Sequence, residues 1–165
     1  MKKILLAAGI FLVTASVTFA QENDDRDNAV VNPLIKSQFE TDFPNATNVD
    51  FESKKSFDEV SFTQDKEKIS AYYDYNDQLI GTVETKAFSD LPANAQKEIL
   101  KKYADYTITG VVKFNDNESD HTEMILYGRS LNDADNYFVQ LKNDSRIILV
   151  KVDLSGGIDF FTTMK

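Results

Sequence analysis

Cysteine and tryptophan are absent from the 165 residues, histidine occurs once, proline three times and glycine six times. Without cysteine there is no thiolate nucleophile, no Cys-based zinc or iron–sulfur site and no disulfide, so the core alone must carry stability. The single histidine, His121, has no serine partner in the Gly-flanked strand-to-helix elbow that nucleophilic hydrolysis needs. The one glycine pair, Gly156-Gly157, lies between two strand patterns and is therefore a turn, not a phosphate cradle. Basic residues are the minority, 18 against 27 acidic. With neither a Lys/Arg stripe nor an aromatic–basic interleave to neutralise phosphates, nucleic acid is not an expected ligand.

What is present begins with an export pattern. Lys2 and Lys3 precede an apolar run from Ile4 to Val13, and Thr18-Phe19-Ala20 supplies small residues where a signal peptidase reads. This predicts a cleavable signal peptide over residues 1–20. Thr14, Ser16 and Thr18 interrupt the run before the roughly 20 apolar residues that a membrane span requires. No cysteine follows to take a lipid, so the expected product is periplasmic or secreted, with no membrane insertion after cleavage. Losing Lys2 and Lys3 leaves 16 basic against 27 acidic residues, a formal charge of −11 over 145 residues. A chain of that length makes one domain, and the charge reads as solubility through repulsion.

Residues 21–32 are polar and without period, a flexible leader. Asn32 and Pro33 then open a helix whose stripe is Ile35, Phe39 and Phe43, ended by Pro44. Strand patterns follow at Thr47–Ser53, Phe57–Thr63, Ile69–Tyr75 and Leu79–Thr85, with a tight turn at Asn76-Asp77. The pattern then restarts. Pro92 opens a second helix, where Ala95, Ile99 and Tyr103 repeat the first stripe at an offset of 60 residues. Val139 and Leu141 repeat Val60 and Phe62 at an offset of 79, as Ile148, Val150, Val152 and Leu154 repeat Ile69, Ala71, Tyr73 and Tyr75. The difference of 19 places an insertion at residues 115–135, with an extra strand candidate at Glu123–Tyr127.

The expected fold is α+β: a tandem repeat of helix plus antiparallel four-stranded sheet, residues 33–86 and 87–165, forming one curved sheet with the helices on one face. The matched strand residues pack beneath the helices. By the two-residue period Tyr72, Phe138, Leu149 and Lys151 point the other way. Phe160 and Phe161 are adjacent and cannot both face the core, so one of them, taken as Phe161, joins that set.

The residues also resemble a known family over about Leu34 to Thr163. The carriers are Phe43-Pro44-Asn45-Ala46 with Val49, the strand and turn Tyr73-Asp74-Tyr75-Asn76-Asp77, and Leu91-Pro92 opening a helix that ends near Tyr103, Tyr106 and Ile108. Val152-Asp153-Leu154-Ser155-Gly156 repeats the strand and turn. Together they resemble the PepSY-like, beta-lactamase-inhibitor-like family of exported bacterial proteins. The resemblance implies two PepSY-like units, no catalysis, and binding of a protein or peptide. The chain departs from the family in having Phe51 where an indole is common and Asp77 where the turn often has glycine. It lacks the disulfides of the true inhibitors, and no residue here points to a beta-lactamase.

Two function classes remain. The first is an exported, non-catalytic module that docks a protein or peptide on the open sheet face through Tyr72, Phe138, Leu149, Lys151 and Phe161, large aromatics being effective anchors. A second copy of the chain is the other candidate cover, making a homodimer. On this reading alanine at Tyr72 and Phe138 abolishes capture and leaves the thermal midpoint nearly unchanged, whereas a large loss of stability would place these side chains in the core. The second class is a small-ligand or calcium protein using Asp116, Glu118 and Asp120. A calcium loop of that kind needs Gly where His121 stands and Glu where Tyr127 stands, so no metal or cofactor is expected. Asp74 and Asp153 recur at equivalent places, but each precedes a turn, where Asp bonds the local backbone.

Overall fold

The computed structural model describes residues 32–53, 57–74, 76–117, 125–126, 129–130 and 134–164. The signal peptide expected over residues 1–20, the leader up to Asn32, and Tyr75, Glu118, Asp120, His121 and Tyr127 lie outside the described residues.

The helix α1 spans Pro33–Asp42, with the Asn32 side chain accepting from the Leu34 N–H at 3.0 Å and proline in the first turn. The helix α2 spans Ala93–Lys102 and closes with Lys101 and Lys102 against its carbonyl end, where positive charge is favourable. Each helix buries two residues four apart, Ile35 and Phe39 in α1 and Ala95 and Ile99 in α2.

Strands β1 (Thr47–Ser53), β2 (Asp58–Gln64), β3 (Glu67–Tyr73) and β4 (Leu79–Thr85) follow α1. After α2 come β5 (Thr107–Asp116), the short β6 (Ile125–Leu126) and β7 (Arg129–Ser130), then β8 (Asn136–Lys142), β9 (Ile147–Asp153) and β10 (Ile158–Met164). The main sheet has eight strands in the order β1-β2-β3-β4-β5-β8-β9-β10, every neighbouring pair antiparallel, and β6 pairs β7 separately.

This corrects the expected fold class. The α+β tandem of helix plus four-stranded sheet is overturned by one eight-stranded antiparallel sheet with two ten-residue helices, a mostly β fold. Strand β4 pairs with β5 from Gly81 opposite Asp116 to Thr85 opposite Val112, so the ladder does not divide into two four-stranded sheets. Recurring apolar spacing reports which side chains are buried. It carries no information on which strands hydrogen-bond, so two units and one continuous ladder look alike in it.

The two faces hold different cores. On the helix face, Ile35 and Phe39 pack on Val60, Phe62, Ala71 and Tyr73. Ala95 and Ile99 pack on Val111, Val139, Leu141, Ile148, Val150 and Val152. The Phe39 ring sits 5.0 Å from Phe62, 5.4 Å from Phe43 and 5.5 Å from Phe51. The Tyr73 hydroxyl donates to Asp42 Oδ2 at 3.0 Å, pinning the end of α1 to the sheet. Burial, and then the Asp42 charge, push the Tyr73 phenol above its ordinary value.

The turns satisfy their own geometry. Between β2 and β3, Asp65 and Lys66 both take positive φ, 52° and 72°, as a two-residue turn matching strand twist demands. Asp77 takes φ 64° and Gly156 φ 88° in the β3–β4 and β9–β10 turns. Within the described residues no helix is long and apolar enough to cross a membrane.

Candidate functional site

The face without helices carries a third cluster: Phe57, Tyr72, Ile80, Val83, Phe114, Phe138, Leu149 and Phe161. Four of the five residues singled out from the sequence therefore come together in one contiguous group. Their exposure differs from expectation. Tyr72 is 1 %, Phe138 2 %, Leu149 4 % and Phe161 7 % exposed, so these side chains are packed and not wet. Phe138 and Phe161 meet edge to face at 5.0 Å, and Phe57 tilts against Tyr72 at 5.7 Å, arrangements that add favourable ring electrostatics to the buried area. The Tyr72 hydroxyl donates to Glu59 Oε1 at 3.2 Å.

Lys151, the fifth residue, stands opposite Phe138 on β9 and is half-buried. Its ammonium has no ion-pair partner among the described residues. It sets a cation beside the apolar cluster, across the strands from Phe138.

Two β-bulges explain how the cluster is completed. Tyr72 lies opposite Gly81 while Tyr73 lies opposite Leu79, so Ile80 is the extra residue on β4. Phe160 lies opposite Val150 while Thr162 lies opposite Leu149, so Phe161 is the extra residue on β10. An extra residue breaks the strict alternation: on β4 it turns Ile80 onto this face beside Gly81, while on β10 Phe161 keeps the parity of Asp159 and the bulge brings Met164 to the cluster. Phe114 fits because Gly81 makes room: a Cβ there would sit 2.8 Å from the Phe114 ring and 2.6 Å from the Asn115 carbonyl oxygen.

Sequence reasoning missed Phe57, Ile80, Val83 and Phe114. Val83 and Phe114 share the parity of Tyr72 once the register is known, Val83 lying opposite both Ser70 and Phe114. Ile80 had no signal, since a bulge has no signature in a period-2 pattern.

Asp74 and Asp153 hold turns. Asp74 Oδ1 accepts from the N–H groups of Asn76 and Gln78, both at 2.8 Å. Asp153 Oδ1 accepts from the Ser155 hydroxyl at 2.6 Å, the Ser155 N–H at 2.8 Å and the Gly157 N–H at 2.9 Å. The Ser155 hydroxyl, followed by the Gly157 N–H, holds the Asp153 carboxyl below its ordinary value. These local bonds occupy the carboxylates and leave no acid–base pair.

A cleft of 660 Å3 opens on the helix face over β4 and β5. Along its wall Glu84 contacts Lys86 at 2.6 Å and Asn115 at 2.9 Å, and Lys113 contacts the neighbouring Asp135 at 3.1 Å. Among the described residues no group of three or more His, Asp or Glu converges as metal ligands. Of the expected acidic loop only Asp116 is described, where its N–H donates to Asp135 Oδ1 at 2.9 Å.

No protein-family model and no curated protein matches the chain. Solved structures do share its fold. A BLIP-like protein from Bacteroides fragilis is 16 % identical with a TM-score of 0.65, covering 85 % of this chain and 92 % of that one. A DUF2874 family protein from Bacteroides uniformis is 9 % identical with a TM-score of 0.66, covering 81 % and 90 %. A protein from Bacteroides eggerthii, inferred to be periplasmic, is 7 % identical with a TM-score of 0.65, covering 81 % and 89 %. The chain thus has a BLIP-like fold; the PepSY part of the sequence resemblance has no counterpart among these neighbours.

Proposed function

We propose that the protein is an exported, non-catalytic binding module that docks a protein or peptide on the sheet face opposite its helices. The carrying observation is the convergence of Tyr72, Phe138, Leu149 and Phe161 into one packed aromatic–aliphatic floor, with Lys151 paired across the strands with Phe138. The floor is itself buried; it holds the accessible residues of the face, Thr85 and Lys151, on a rigid backbone, which keeps the ordering cost of binding small. Likeness to a BLIP-like fold supports a binding role over catalysis. Export rests on the pattern of Lys2, Lys3, the apolar run from Ile4 to Val13, and Ala20, and the Bacteroides eggerthii neighbour inferred to be periplasmic agrees with it.

The test uses accessible residues of the face in place of its floor. Thr85 and Lys151 belong to one row, Thr85 opposite Val112, Val112 opposite Phe138 and Phe138 opposite Lys151. Wild type and the Thr85→Glu/Lys151→Glu variant are immobilised and exposed to envelope and secreted fractions. A partner retained by wild type and lost by the folded variant supports the reading. Equal retention by both overturns docking on this face.

A further inference from the structure

The eight-stranded sheet ends in two edges, β1 and β10, and the two are built differently. The β1 edge carries the carboxylates Asp50 and Glu52, and it is broken by a bulge between Thr47 and Asp50 with Asn48 at φ 53°. Charge and bulging are the usual means of closing an edge to other strands. The first half of β10, by contrast, runs regularly from Ile158 to Phe160 opposite Val152 to Val150, and its bulge begins only after Phe160.

Hydrogen-bond parity decides which β10 groups face outward. The Asp153 N–H donates to the Gly157 carbonyl at 3.0 Å, which makes that pair hydrogen-bonded. Antiparallel pairs alternate, so Lys151 and Asp159 form the next bonded pair, while Ile158 and Phe160 turn their N–H and C=O groups away from β9. The outward edge therefore offers two sets of backbone groups two residues apart. Phe160 stands 49 % exposed on it. Between Ile158 and Phe160, the carboxylate of the exposed Asp159 has no hydrogen-bond or ion-pair partner among the described residues, although Lys151 lies directly opposite.

Charge then selects the occupant. A second copy pairing antiparallel through Ile158 and Phe160 would place Asp159 opposite its own image in a non-hydrogen-bonded pair, where side chains are closest and like charges repel. A strand with a cation at that position meets no such conflict. We propose that the Ile158, Asp159 and Phe160 stretch of β10 accepts an extended segment of another protein by strand addition, the segment carrying an apolar–Lys/Arg–apolar sequence with its cation opposite Asp159. The apolar flanks would lie against Ile158 and Phe160, and the bulge after Phe160 limits the ladder to a short stretch. The contact is to the backbone edge of β10 and does not depend on docking across the sheet face, although the Asp159 side chain projects on the same face as Lys151.

The test is a charge swap. Two capped nonapeptides, threonine-rich with Ile-Lys-Val or Ile-Glu-Val at the centre, are titrated into the exported chain by fluorescence anisotropy, with amide exchange followed by NMR. The lysine peptide is expected to bind at least tenfold more tightly than the glutamate peptide, and to slow exchange at the Ile158 and Phe160 amides. Asp159→Lys should reverse the preference. Phe160→Pro should abolish binding while the β9 ladder persists, since the N–H it removes faces outward. Equal or absent binding of both peptides up to millimolar concentration overturns the proposal. So does a sedimentation dimer of the free chain with those two amides already protected, which would assign the edge to a second copy.

Discussion

Asn32 Nδ2 donates to Asp77 Oδ1 at 2.8 Å, tying the N-cap of α1 to a turn 45 residues away. At the second helix the corresponding link runs from Asn94 Nδ2 to the Ser155 carbonyl at 3.0 Å. Each helix start is thus fastened to the hairpin turn at the end of the strands beneath it. The two turns also share their backbone pattern, Asp74 N–H to Gln78 C=O and Asp153 N–H to Gly157 C=O. They differ at the left-handed position, held by Asp77 in one and Gly156 in the other.

That difference predicts unequal outcomes for two substitutions at Asp77. Alanine keeps the strained φ and loses the link to Asn32, so Asp77→Ala should destabilise by roughly 1–2 kcal/mol. Glycine loses the same link but relieves the backbone, so Asp77→Gly should fall within about 0.5 kcal/mol of wild type. Urea midpoints of the two variants check the sign and the gap.

Glycine substitutions should separate in the same way on the sheet. At Gly81 a Cβ would meet the Phe114 ring at 2.8 Å and a backbone oxygen at 2.6 Å, whereas at Gly110 the nearest atom is Gln140 Oε1 at 3.5 Å. Gly81→Ala should cost about 1–3 kcal/mol through overpacking. Gly110→Ala should be neutral or stabilise by up to about 1 kcal/mol by restricting the unfolded chain. Thermal denaturation of both resolves the contrast.

How far the sequence reaches can be judged at particular residues. The bounds of β1 and β4 were legible because Thr47–Ser53 and Leu79–Thr85 are short strand-forming runs between turn residues. The division of faces was legible at Ala71 against Tyr72, where neighbours go to opposite clusters. What was not legible depends on pairing. Whether Thr85 stops a sheet or pairs with Val112 is decided across the chain, and so is the crowding that buries Tyr72 and Phe138. Ile80 reaches the candidate site only through a bulge, a relation between two strands and not a property of either.

Tyr73 gives an alkaline prediction with a definite sign. Its phenol is held above the ordinary value of 10.0 in the folded chain by burial and by Asp42. The unfolded chain therefore ionises first. The contribution of Tyr73 is intact below pH 10.0 and declines as pH rises above it toward the folded value. Urea midpoints at pH 9 and pH 11, roughly one unit either side of that value, should fall less in Tyr73→Phe than in wild type. Parallel curves would remove Tyr73 as the source.

Asp153 gives the acid counterpart. Its carboxyl lies below the ordinary 3.8 because the Ser155 hydroxyl and the Gly157 N–H favour the ionised form. Its contribution is present above 3.8 and is lost as pH falls through the folded value. Asp153→Asn retains an acceptor for the turn and should flatten stability in that acid window relative to wild type. An unchanged acid limb in the variant would assign the dependence to other carboxylates.

On the sheet face, burial reverses what the aromatic residues suggest from sequence alone. Tyr72 and Phe138 are 1 % and 2 % exposed within one cluster. Truncation to alanine removes a packed ring and leaves a cavity, so each should cost about 3–5 kcal/mol. A thermal midpoint unchanged by either variant would show that the face is open in solution. Lys151→Ala removes a half-buried ammonium with no ion partner among the described residues, and should move stability by less than about 0.5 kcal/mol. Loss of a partner on mutating Tyr72 or Phe138 therefore reports unfolding as readily as a lost contact. Loss on mutating Lys151, with the melting curve unmoved, reports the contact itself.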